Sequence, residues 1–132
     1  MKLASVALVV PDYDAAIRFF AAIGFTVTND INQGDKRWVT LAPPDAGLND
    51  PAGGGAELVL ARAEGPRQIA AIGDQAGGRV WLFLETDDFS RDHAALIAAG
   101  ARFEEPPRHE PYGTVAVWRD PWGNRWDLIE RR

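Results

Sequence analysis

The chain has 132 residues, a net charge of −5 and no cysteine. Disulfides, thiolate metal sites and a cysteine nucleophile are excluded at once. With 46% apolar and 25% charged residues it reads as one globular domain. The negative charge argues against nucleic acid, whose phosphates call for clustered Lys and Arg.

Ser5 to Val10 is an apolar, β-branched run that stops at Pro11, a strand pattern. Asp12 can cap a helix whose apolar residues Ala16, Ile17, Phe20 and Ile23 recur at helical spacing until Gly24. Phe25 to Asn29 alternates as a strand, Asn32 to Asp35 turns, and Arg37 to Leu41 is a further strand. Pro43 to Gly55 is a loop rich in Pro and Gly, and its Gly53-Gly54-Gly55 lacks the Lys and Ser/Thr of a phosphate loop. Glu57 to Leu60 completes a βαβββ module.

The order then repeats. Gly78 to Leu84 is a strand, Asp88 a cap and Gly100 a stop, at one constant offset from Asp12 and Gly24. Thr114 to Trp118 answers Arg37 to Leu41, and Asp127-Leu128 answers Glu57-Leu58. The chain therefore divides into a module over about residues 1–62, a connection over 63–77 with a short helical turn at Gln68 to Ile72, and a module over 78–132. The class is α+β. Two such modules can form a cupped mixed sheet with the helices on its outer face.

The segment Asp120-Pro121-Trp122-Gly123-Asn124-Arg125-Trp126-Asp127-Leu128 resembles the closing turn and strand of the vicinal oxygen chelate superfamily. That superfamily includes glyoxalase I, extradiol dioxygenases, fosfomycin-resistance enzymes and the bleomycin-resistance binding proteins. The endings Val10-Pro11-Asp12 and Thr86-Asp87-Asp88 are similar too. The resemblance implies metal ligands at Ser5, Glu57, Trp81 and Asp127. A hydroxyl and an indole stand where imidazole is usual, and an indole donates but does not ligate. No cofactor is therefore expected. A weakly held divalent metal on Glu57 and Asp127 stays as the alternative.

The expected function is metal-independent binding of a small molecule in the cup. The alternative is a glyoxalase-type lyase or isomerase, or a dioxygenase, using Glu57 and Asp127. Ser5, Trp38, Glu57, Trp81, Tyr112, Trp118 and Asp127 are candidates to line the ligand, and Glu57, Asp127 and His109 are candidates for acid-base chemistry. Each has a plainer role open to it: an ion pair for the acids, core packing for Trp81, a solvated loop for His109. His93 is expected on the outer surface and Trp126 against the helices. The resemblance further implies a homodimer, and the N-terminus, without a signal-peptide pattern, a cytoplasmic location with no membrane partner.

Overall fold

The computed structural model describes residues 1–44 and 55–132. Most of the Pro43–Gly55 stretch, including Gly53 and Gly54, lies outside the described residues. The chain divides into two compact units that meet in sequence at Ile72 and Gly73. Each is built on one mixed sheet, as the repeat implies.

The first unit contains β1 (Ser5–Val10), α1 (Tyr13–Ala22), β2 (Thr26–Asn32), β3 (Arg37–Ala42), β4 (Glu57–Arg62) and α2 (Gly65–Ala71). Its strands run in the order β1-β4-β3-β2, with β1 parallel to β4 and the other pairs antiparallel. The second unit contains β5 (Val80–Glu85), α3 (Phe89–Ala98), β6 (Arg102–Phe103), β7 (Arg108–Glu110), β8 (Gly113–Arg119) and β9 (Arg125–Arg131). Its order is β5-β9-β8-β6, with β7 also on β8.

Both long helices begin and end by the same device. The Asp12 carboxylate accepts from the Ala15 N–H at 2.9 Å, and that of Asp88 from the Arg91 N–H at 3.0 Å. Each helix stops at a glycine with positive φ, Gly24 at 100° and Gly100 at 103°. The next N–H then returns to a carbonyl of the last turn, Phe25 to Phe20 and Ala101 to Leu96, both at 2.9 Å.

Strand alternation sends Leu8, Val10, Val39, Leu41, Leu58 and Leu60 to the face under α1, where all are buried with Ala16, Phe19 and Phe20. In the second unit the cross-strand pair Trp118 and Trp126 stacks at 5.0 Å, and Leu128 and Leu96 are buried too. Glu130, on the same face as Trp126, accepts from the Phe89 N–H at the start of α3. That fixes this face as the helix side.

Three expectations change. The second strand does not stop at Asn29 but pairs with β3 as far as Asn32 opposite Arg37. Its residues are all exposed, so no burial pattern marks its end. The short helix covers Gly65–Ala71 and so begins ahead of Gln68. Residues Arg108 to Glu110, read as loop, form β7 on β8. Pro106 and Pro107 break this edge because proline offers no N–H to a ladder. A side chain repairs the gap: Glu105 Oε1 accepts from the Val117 N–H at 3.1 Å.

The turn from β8 to β9 is organised by Asp120, which is 0% exposed. Its Oδ1 accepts from the N–H groups of Trp122, Gly123 and Asn124, each at 3.0 Å. Its Oδ2 accepts from Asn124 Nδ2 at 2.9 Å and Trp126 Nε1 at 3.0 Å. Gly73 presses on the same turn, where a Cβ would stand 2.0 Å from the Trp122 carbonyl oxygen. Replacing Asp120 with Ala strands several buried donors, each costly to leave unmade, so Asp120→Ala should lose at least about 3 kcal/mol in urea unfolding. A loss under about 1 kcal/mol would show that water replaces the carboxylate.

Candidate functional site

In each unit the face opposite the helix carries the polar and exposed side chains of the sheet. In the first unit Ser5 and Glu57 are register partners, and Val59 is opposite Thr40. Thr40 is buried and bonded to Thr28 Oγ1 at 2.6 Å and Asn29 Nδ2 at 2.8 Å. Trp38 sits opposite Ile31 at the outer strand pair, and both are exposed.

The same face in the second unit can be read row by row from the ladder. Arg119 is opposite Arg125, Val117 opposite Asp127 with Phe83 on the far side, and Val115 opposite Ile129 with Arg108 and Glu85 flanking. Val115, Val117 and Ile129 are buried, whereas Phe83 is 65% exposed. Asp127 thus lies within an apolar stripe.

Arginines surround that stripe, and each already holds an acid. Arg108 pairs with Glu105 at 2.9 Å and Glu110 at 3.2 Å. Arg119 and Arg125 share Glu104 at 2.7 and 2.9 Å, and Arg131 pairs with Glu85 at 3.3 Å. The Arg125 guanidinium holds the Glu104 carboxyl below its usual range. None of these cations bonds to Asp127. Its Oδ1 is closed off from solvent and accepts no hydrogen bond among the described residues, although the residue as a whole is half-buried.

Burial therefore pushes the Asp127 carboxyl above its ordinary value. The charges of Arg108 and Arg125 pull it down and that of Glu105 pushes it up, all less strongly than burial.

The other candidate residues fall in different places. Trp118 does not line the face of Asp127. It is 0% exposed on the helix side, because its cross-strand partner Trp126 fixes its direction. Trp81 sits in a register shift between Val80 and Leu82, half-buried beside a cleft. Asp127 is opposite Phe83, not Trp81. His109 and Tyr112 are exposed, and the His109 ring meets Thr114 Oγ1 at 3.2 Å. His93 is not a free surface side chain, being packed between Phe89 at 5.6 Å and Phe103 at 4.1 Å.

The equivalence of Glu57 with Asp127 is also corrected. Leu8 pairs with Leu60 and its repeat mate Leu84 with Leu128, while Leu41 pairs with Leu58 and its mate Trp118 with Trp126. Both ladders set Asp127 against Val59 and Glu57 against Arg125. A shift of two keeps the faces unchanged, so alternation in the sequence does not detect it. Glu104 and Glu105 were missed as parts of the site. Period-two spacing from Asp127 marks Arg125 and Ile129, but Glu105 reaches the face only through the proline break.

The donors at the four family positions do not suit a chelated divalent cation. Ser5 is a neutral hydroxyl and Trp81 has no lone pair to give, which leaves the two carboxylates of Glu57 and Asp127, the latter with Arg108 and Arg125 as well as Glu105 as charged neighbours. Among the described residues no group of three His, Cys, Asp or Glu could hold a metal ion.

Because the fold raises the Asp127 pKa, it favours the protonated form. That contribution is present below the ordinary value of 3.8 and is lost as pH rises through the folded value. Asp127→Asn should therefore melt above the parent at pH 7, with the gap closing as pH falls through the raised folded value and closed by 3.8. Equal melting temperatures at pH 7 would show that Arg108 and Arg125 already compensate the charge.

The Glyoxalase/Bleomycin resistance protein/Dioxygenase superfamily model matches residues 2–128. An uncharacterized protein of Shewanella frigidimarina is 48% identical over 132 residues, 98% of this chain and 93% of that protein. The crystal structure of UcmS2 is similar with a TM-score of 0.77 and 29% identity, covering 98% of this chain and 97% of that one. TnmS3, an antibiotic binding protein from Streptomyces sp. CB03234, matches with a TM-score of 0.73 and 26% identity over 100% of this chain and 97% of its own. With a two-module α+β fold and a family match across nearly its whole length, the chain belongs to the Glyoxalase/Bleomycin resistance protein/Dioxygenase superfamily.

Proposed function

We propose that the chain is a small-molecule binding protein that works without a metal and holds its ligand on the open face of the second sheet. One observation carries the reading: Asp127 Oδ1 has no donor while the arginines around it already hold acids. Oδ1 itself is closed off from solvent, so a ligand nitrogen would meet the carboxylate from the open side of this half-buried residue. The likeness to TnmS3, which is described as an antibiotic binding protein, supports the same reading.

The chemistry follows from the rows of the sheet. A protonated amine donates to Asp127, and the ligand body covers Phe83 and takes that ring out of water. Removing water from the face strengthens the charge pair further. A hydrogen bond to a charged group is worth about 1.5–3 kcal/mol, or roughly ten- to a hundredfold in affinity.

Calorimetry with 9-aminoacridinium, a flat cation, against neutral acridine tests this. The cation should bind more tightly, and Asp127→Asn should weaken it roughly tenfold or more while leaving acridine unchanged. An unchanged cation affinity in Asp127→Asn, or no binding of either compound, would remove the reading.

The proposal extends to a homodimer, for which the family resemblance is the support. Sedimentation at micromolar concentration should give twice the 14.4 kDa chain mass. A single-chain mass would remove the dimer.

A further inference from the structure

A second feature of the second unit has the opposite polarity. Where the Gly73–Arg79 segment meets the β8–β9 turn there is a small cleft of about 50 Å³. Its walls include Trp81, Arg79, Arg119, Arg125 and Asp74. The floor is backbone, because Gly73, Gly78 and Gly123 line it with positive φ of 73°, 88° and 105°. Gly73 makes the close approach, since a Cβ there would stand 2.0 Å from the Trp122 carbonyl oxygen.

Two of the arginines are locked in place by the cleft itself. Arg119 Nη1 donates to the Gly123 carbonyl at 3.0 Å, and Arg125 Nη1 donates to the Gly78 carbonyl at 2.9 Å. Both also hold Glu104, while Arg79 is exposed and stands outside those ion pairs. Three guanidiniums against the two carboxylates of Glu104 and Asp74 leave the cleft one positive charge, in a chain whose net charge is −5. The volume suits a few heavy atoms rather than a whole ligand.

We propose that this cleft is an anion subsite, taking a carboxylate carried on a flat ring, with Arg79 as its mobile clamp and Trp81 as the surface the ring covers. A guanidinium meets a carboxylate with two parallel N–H donors, which fixes its plane. That plane can then carry an attached ring across the indole of Trp81. Arg119 and Arg125 add charge without moving, so only Arg79 gives up side-chain freedom on binding. The subsite does not involve Asp127 and stands whether or not that residue binds a cation.

The experiment is a titration of the ¹⁵N-labelled chain with benzoate, with phenylmethanol as a neutral control of like shape. The indole N–H signal of Trp81, assigned by its disappearance in Trp81→Phe, should shift saturably with benzoate and not with phenylmethanol. Arg79→Gln should weaken the benzoate affinity about tenfold with the other indole signals of the folded chain in place. Equal shifts by both compounds, an unchanged affinity in Arg79→Gln, or no shift of Trp81 at millimolar benzoate would each overturn the proposal. The exposed position of Arg79 keeps its variant folded, and an unchanged melting temperature checks this.

Discussion

Asp120 is the group on which the second unit depends. A carboxylate removed from water is costly unless its lone pairs are filled, and here donors from the turn and from Trp126 fill them. Because one of those donors is the Trp126 indole, the turn and the core are tied by a single side chain. Trp126 stacked on Trp118 then sets which residues of β8 and β9 face the helix. Asp127, next in sequence, is forced to the other face. The candidate site is thus a consequence of how the turn is closed.

On that other face the deciding feature is how the charges are already paired. Guanidiniums stand near Asp127, yet Glu104, Glu105, Glu110 and Glu85 hold them. An arginine committed to one acid lowers the energy of a second acid only weakly across a partly solvated face. Asp127 is left in contact with valine, isoleucine and phenylalanine positions that neither donate nor accept. The same Glu104 that engages Arg125 next to Asp127 holds Arg119 and Arg125 at the wall of the glycine-floored cleft. One acid thereby shapes two neighbouring regions of opposite polarity.

Much of the fold was legible because local rules repeat. The caps at Asp12 and Asp88 and the stops at Gly24 and Gly100 are short-range devices, and they act as their residue types suggest. Facing was legible too: alternation assigned Glu57 and Asp127 to the side away from the buried Leu58, Leu60, Trp126 and Leu128. What failed was longer in range. Aligning Glu57 with Asp127 was off by two residues, a slip that alternation does not register. Trp118 was taken for a lining residue because its direction depends on its partner across the ladder. His93 looked like surface, and only the approach of Phe103 from β6 encloses it.

The sequence by itself determined the two modules, their helix limits, the family and which face each acid takes. These follow from cap chemistry, glycine stops and period-two burial, all of which act within a few residues. Only the tertiary structure decided that Trp118 is core, that Glu105 bridges the proline gap at Val117, and that Asp127 Oδ1 is left without a donor among the described residues. Those depend on which strand lies beside which and in what register, and on which acid each arginine reaches first. Such pairings join residues far apart in the chain, and no local pattern encodes them.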